Sequence, residues 1–94
     1  MPKLSIVIPV YYNAENLPPL YADLREKIVE GPDFTYELVF VDDGSGDNSY
    51  EVLRKLADQD PHVRVFRLSR NFGSDAAVLC GLTQSTGDCA VVKA

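Results

Sequence analysis

Ninety-four residues, 46% of them hydrophobic, suffice for one small globular domain and exclude a multidomain assembly or a disordered chain. A formal net charge of −5 argues against a nucleic-acid partner and against a polybasic membrane patch. The two cysteines, Cys80 and Cys89, are too few for a disulfide framework or a zinc site, and their apolar contexts read as buried free thiols in a reducing compartment.

In chain order, Leu4-Ser5-Ile6-Val7-Ile8-Pro9-Val10 reads as a first strand, apolar and β-branched, with Pro9 marking its end. No apolar run approaches the ~20 residues that span a bilayer, and Met1 leads straight into this strand, so the chain as it stands is expected to be soluble and without a leader. Tyr11-Tyr12-Asn13-Ala14 is a polar turn. The helix after it carries Pro18 and Pro19 in its first turn, where a missing N–H costs little. Leu17, Leu20, Leu24 and Ile28 recur at helical spacing, and Gly31-Pro32 stops the helix.

Tyr36-Glu37-Leu38-Val39-Phe40-Val41 reads as a strand buried on both faces, running into Asp42-Asp43-Gly44-Ser45-Gly46-Asp47. A second helix begins near Asn48. Asp47 or Asn48 can cap it, with Glu51 placed as in a capping box, and Val52, Leu53, Leu56 and Ala57 form its inner stripe up to Asp60-Pro61. Residues 63–68 read as a third strand and Ser69-Arg70-Asn71-Phe72-Gly73 as its turn. Ser74 is the expected cap of a third helix over 76–84, with Gly87 beyond its end, and Cys89-Ala90-Val91-Val92 starts a fourth strand. Strands alternating with helices mean a parallel α/β sheet, Rossmann-like, with right-handed crossovers. A chain that stops just after a strand is expected to be an N-terminal fragment of a longer one.

The acidic turn is the first candidate for a site. Open α/β sheets bind ligands at the carboxyl ends of their strands, and two carboxylates ending a buried strand cost desolvation unless they meet a cleft, a cation or hydrogen-bond donors. Asp47 and Ser49 are accounted for by capping. Asp43 is the candidate ligand group, since a carboxylate accepts the N–H groups of a nucleobase edge. Other nucleotide templates fit poorly. Gly44-Ser45-Gly46 lacks the third glycine of the dinucleotide fingerprint and follows the second strand, and no Gly-Lys-Ser/Thr sequence exists. A receiver domain needs a further Asp after its third strand, where this chain has Leu68-Ser69-Arg70. His62, the only histidine, follows Pro61 on the solvent side and reads as structural. Arg64 and Arg67 read as solvated. Arg70 is either an exposed turn residue or a counter-charge for an anionic ligand.

These motifs resemble those of family 2 glycosyltransferases. Ile6-Val7-Ile8-Pro9-Val10-Tyr11 with Glu15-Asn16-Leu17-Pro18 is similar to the family's opening, and Val41-Asp42-Asp43-Gly44-Ser45 with Asp47 and Ser49 to its second motif. Arg70-Asn71-Phe72-Gly73, Ala76-Ala77, Gly81-Leu82 and Thr86-Gly87-Asp88 resemble its third region, closest to the polyprenyl-phosphate branch that includes dolichol-phosphate mannose synthase. The resemblance implies the N-terminal half of a GT-A fold, residues 1–94 being the nucleotide-sugar-binding part of a catalytic domain. It implies Pro9, Tyr11, Val41 and Asp43 as positions that hold the base and ribose, and Asn13 and Arg70 complete the expected nucleotide-binding residues.

It further implies transfer of a sugar from a nucleotide-diphosphate sugar to a polyprenyl phosphate, at the cytoplasmic face of a membrane reached through parts outside this chain. A divalent metal, Mg or Mn, is expected for the full-length enzyme. The family's acidic metal motif begins where this chain reads Val92-Lys93-Ala94, so metal ligands and catalytic residues are expected beyond Ala94, and these residues alone are expected to be inactive. The unpaired edge of the last strand is expected to favour self-association into a homo-oligomer. The alternative is a non-catalytic nucleotide- or effector-binding α/β module.

Overall fold

In the computed structural model, which describes residues 3–12, 14–27, 35–44, 46–70 and 72–92, four strands form one parallel sheet. Strand β1 (Lys3–Val10) leads through a 3-10 turn (Ala14–Asn16) into helix α1 (Leu17–Lys27). Strand β2 (Thr35–Asp42) precedes α2 (Ser49–Gln59), β3 (Val63–Arg67) precedes α3 (Ser74–Gln84), and β4 (Cys89–Val92) comes last. The expected ends Ile28, Gly31 and Pro32 of the first helix lie outside the described residues, as do Asn13, Ser45 and Asn71.

The strand order is β3-β2-β1-β4. The chain steps outward from β1 to β3, then returns across the sheet to lay β4 on the other side of β1, with Leu4 opposite Cys89 and Val7 opposite Val92. The order reverses between β1 and β4, and such a reversal opens a crevice beyond the strand carboxyl ends.

Period-two alternation divides β1 and β2 between two cores. Ile6, Ile8, Val10, Tyr36, Leu38 and Phe40 pack with Leu17 and Leu24 of α1 and Leu53 of α2. Val7, Val39 and Val41 face the other way, onto Ala77 and Cys80 of α3. Both faces of β2 are therefore covered, and every residue from Tyr36 to Asp42 is buried. Pro9 sits within an inner strand without an orphaned partner. Val10 turns its carbonyl to β2, so Pro9 points to the β4 side, where the described pairing has already ended at Val7.

Helix α3 approaches the sheet closely at Gly81. A Cβ there would run into Val7 Cγ1 and stand 3.2 Å from Val41 Cγ2, two side chains with no exposed surface. Gly81→Ala should therefore destabilise the protein by roughly 1–2 kcal/mol, overpacking outweighing alanine's better helix propensity. Urea denaturation checks this, and a stabilised variant would contradict it.

Several local expectations are corrected. Helix α2 has Asn48 as its N-cap residue without a side-chain cap bond, so the capping box with Glu51 does not form. Asp47 does the work instead, its Oδ1 accepting from the Ser49 amide at 3.0 Å and the Ser49 hydroxyl at 2.6 Å. At α3 the N-cap is Gly73, at φ +100°, and Ser74 is the first helical residue, because only a glycine takes that bend without strain. The cysteines are not both buried. Cys80 is half-buried, while Cys89 is exposed because β4 is an edge strand exposed along its length. Nor are Arg64 and Arg67 simply solvated, since both reach acidic partners described below.

Candidate nucleotide-binding site

Two buried carboxylates organise the amino-terminal end of the sheet. Glu37 enters β2 next to Ser5 of β1, accepts the Ser5 hydroxyl, and accepts the Thr86 amide at 2.8 Å. Arg64 Nη1 lies 3.1 Å away and Lys3 Nζ 3.7 Å. Burial alone would raise the Glu37 pKa, but the Ser5, Thr86 and Arg64 hydrogen bonds and the Lys3 charge outweigh it and hold the carboxyl at about 2. Gly87 closes the same knot, its amide donating to Ser5 Oγ at 2.9 Å.

Asp60 does the equivalent between α1 and β3. Its Oδ2 accepts from the Tyr21 hydroxyl at 2.6 Å and Arg25 at 2.8 Å, and its Oδ1 from the His62 amide at 2.9 Å. Burial alone would raise its pKa, but these donors outweigh it and hold the carboxyl at about 2. His62, with Nδ1 3.0 Å from Asp60 and its ring stacked on Tyr36, is structural, as its sequence position implies.

With charge settled at that end, the carboxyl ends carry the candidate site. The Asp43 amide donates to the Val10 carbonyl at 2.8 Å, and the Leu68 amide to the Asp42 carbonyl at 2.9 Å. These bonds draw the ends of β1, β2 and β3 together. Alternation then sends the two adjacent acids to opposite faces. Asp42, fully buried, lies on the α1–α2 side with Oδ2 3.9 Å from Arg67 Nε. Asp43, 3% exposed, lies on the α3 side, and its Oδ1 accepts the Phe72 amide at 3.0 Å. That bond ties the β3–α3 turn to the end of β2.

Around Asp43 stand exposed aromatic and cationic groups. Tyr11 follows β1 and meets Tyr12 edge-on, with ring centroids 4.6 Å apart. The Arg70 guanidinium lies 4.7 Å over the Phe72 ring, and both residues are exposed. The structure thus brings Tyr11, Asp43 and Arg70 to one end of the sheet, with Pro9 half-buried beneath. Val41 is fully buried in the α3 core and offers no open surface, and Asn13 lies outside the described residues. Sequence reasoning did not reach Tyr12 or the Phe72 amide, because neither a backbone amide's partner nor a left-handed bend leaves a local signature.

A cleft of about 510 Å3 opens on the outer side of α2, lined by Asp47, Tyr50, Glu51, Arg54, Lys55 and Arg67. Its cations and carboxylates interleave, and neither Asp43 nor Tyr11 reaches it. Among the described residues no three His, Cys, Asp or Glu side chains gather closely enough to hold a metal ion. Asp43, with one oxygen already engaged by an amide, does not fit as a divalent-cation site by itself. No helix among the described residues is long and apolar enough to cross a membrane.

Residues 5–92 match the family model described as glycosyl transferase family 2. The chain belongs to that family. Among its relatives are undecaprenyl-phosphate 4-deoxy-4-formamido-L-arabinose transferases of Proteus mirabilis, 41% identical over 90 residues, and of Yersinia pestis, 44% identical over 87 residues. These alignments cover 95% and 92% of this chain, which spans about a quarter of the relatives' length (27% and 26%). Among solved structures, a mannosyltransferase of Pyrobaculum calidifontis in complex with GDP-Man and Mn2+ superposes with a TM-score of 0.79 at 21% identity, over 93% of this chain and 25% of that one. TarS of S. aureus superposes at 0.81 and 24% identity, over 97% and 16%. The family 2 chain therefore has the Rossmann-like α/β architecture of GT-A glycosyltransferases expected from its motifs.

Proposed function

We propose that residues 1–94 form the nucleotide-sugar-binding part of a glycosyltransferase that moves a sugar from a nucleoside-diphosphate donor to a polyprenyl phosphate. The observation that carries this reading is Asp43, a nearly buried carboxylate at the carboxyl end of an inner parallel strand, beside exposed Tyr11 and Arg70. A carboxylate has about four acceptor positions and the Phe72 amide uses one, so Asp43 retains capacity for base or ribose donors. Tyr11 offers a ring face to the base. Arg70 offers positive charge to the diphosphate, whose charge grows as the sugar–phosphate bond breaks.

The undecaprenyl-phosphate transferases among the relatives support a polyprenyl-phosphate acceptor, whose phosphate, already ionised at neutral pH, needs positioning more than a strong base. A divalent ion, such as the Mn2+ bound to the P. calidifontis enzyme, would supply further charge neutralisation, but the described residues do not fit it, and its ligands would lie outside them. Location at the cytoplasmic face of a membrane, and self-association through the exposed β4 edge, belong to the same reading.

Calorimetric titration of UDP and GDP tests it. The protein should bind at least one nucleotide, and Asp43→Ala should weaken binding by roughly 1.5–3 kcal/mol, about ten- to a hundredfold, with the loss of a charge-assisted hydrogen bond. Asp43→Asn, which still accepts the Phe72 amide, isolates the charge. Binding lost in Asp42→Ala but kept in Asp43→Ala, with both variants folded, overturns the assignment, and no binding of either nucleotide to the unaltered protein overturns the function.

A further inference from the structure

We infer that Tyr12 is a positioning residue of this site, clamping the turn after β2 against the end of β1; the inference rests on the nucleotide-binding reading above. Tyr12 has φ +53° and is the only non-glycine residue with positive φ among the described residues. A bulky side chain pays for the left-handed region in steric strain, and such bends persist where surrounding contacts over-determine them. Two of the contacts around Tyr12 join it to its neighbours. The Tyr11 ring stands edge-on to the Tyr12 ring at 4.6 Å, and the tip of the Tyr12 phenol rests directly on Gly46. A Cβ at Gly46 would collide with Tyr12 Oη and stand 3.1 Å from Cζ, so any side chain there would push the ring off this contact.

The geometry makes this a second fastening. The first is the Asp43 amide on the Val10 carbonyl, at the root of both loops. Tyr12 on Gly46 joins the same two loops further out. Two fastenings around one ring of chain stop the turn from hinging about β2. Asp43 at its root and Tyr11 beside Tyr12 are thereby held in one relative arrangement before any ligand arrives, which lowers the ordering cost of binding. The residue type follows as well. A smaller side chain that tolerates the bend, such as Asn, would relieve strain but could not reach Gly46.

A double-mutant cycle of Tyr12→Asn and Gly46→Ala tests the clamp. In the ligand-free protein, amide hydrogen exchange at Gly44, Gly46 and Asp47 should quicken at least tenfold in each single variant, with no further gain in the double variant and no change in β1 or β2. UDP or GDP should bind about tenfold more weakly to each, again without addition. Tyr12→Asn should keep or raise the melting temperature, since Asn accepts left-handed backbone, whereas a merely structural role would lower stability and affinity together. Exchange unchanged in both single variants overturns the inference whether or not a nucleotide binds. Faster exchange with undiminished affinity overturns the positioning role, and additive losses overturn the Tyr12–Gly46 coupling. Failure of the unaltered protein to bind either nucleotide overturns the positioning role along with the functional reading, while the exchange data still decide the contact.

Discussion

Replacing Glu37 by alanine is expected to lower stability by roughly 3 kcal/mol, which for a domain of this size is a fall in melting temperature of roughly 12–24 °C. The effect is large because one carboxylate on β2 ties three other segments to it. It receives the Ser5 hydroxyl from β1, the Thr86 amide from the turn before β4, and Arg64 from β3. Removing it leaves the buried Ser5 hydroxyl without its acceptor and strips Arg64 of its ion pair, though Arg64 keeps the Gln84 carbonyl at 2.6 Å, and deleting the side chain also leaves a void. Loss of a buried partner costs far more than the intact interaction contributes, because the groups left behind keep their desolvation penalty. Glu37→Gln should fall between, since an amide oxygen still accepts from Ser5 or Thr86 while its NH2 opposes Arg64. Thermal unfolding followed by circular dichroism measures both; a shift of under about 1 kcal/mol in Glu37→Ala would contradict the account.

The second large effect is acid instability. Glu37 and Asp60 are both held at about 2 in the folded protein, against 4.5 and 3.8 for the free groups. Above about pH 5 they are ionised in folded and unfolded chains alike, and their stabilisation is complete. As pH falls through 4.5 and 3.8 the unfolded chain binds protons first, so stability drops, and near pH 2 the folded carboxyls protonate as well and the contribution is spent. One pKa unit corresponds to about 1.4 kcal/mol; with Arg25 half exposed and its share screened, the joint loss is on the order of 4 kcal/mol. Urea midpoints at pH 7, 4 and 2.5 should trace this decline. Glu37→Gln should flatten the slope, and an equal slope in that variant would show that other groups carry it.

What the sequence made legible follows from periodicity. The apolar runs at 4–10 and 36–41 read as strands because a parallel strand covered on both faces needs no polar alternation, 63–68 follows in alternation with the helices despite Arg64 and Arg67, and the structure places all three within a residue or two. The split between Asp42 and Asp43 was readable for the complementary reason, that neighbouring strand residues must face opposite ways. Glu37 was not readable. It lies inside an apolar run, and its partners Ser5, Arg64 and Thr86 are 32, 27 and 49 residues away. Burial at Cys89 was misjudged because local hydrophobicity does not reveal whether a strand lies inside a sheet or at its edge. Asp43 stood out as a candidate ligand group from its setting, but its bond to the Phe72 amide depends on how two loops meet in space.

The position of β4 beside β1 sets the timing of assembly during synthesis. The Lys3 amide donates to Asp88 across 85 residues, so β1 emerges long before its second neighbour exists. At a ribosomal pace of roughly 5–20 residues per second, its outer edge waits on the order of 4–17 seconds for β4. During that interval β1 can pair only with β2, and its other row of amides and carbonyls is open to any extended chain nearby. Closing a loop of that span also slows the search itself, since distant contacts return nothing until the intervening chain has been ordered. Strand β1 is therefore made before β2, β3 and β4, yet it is among the last of the four to be fully paired.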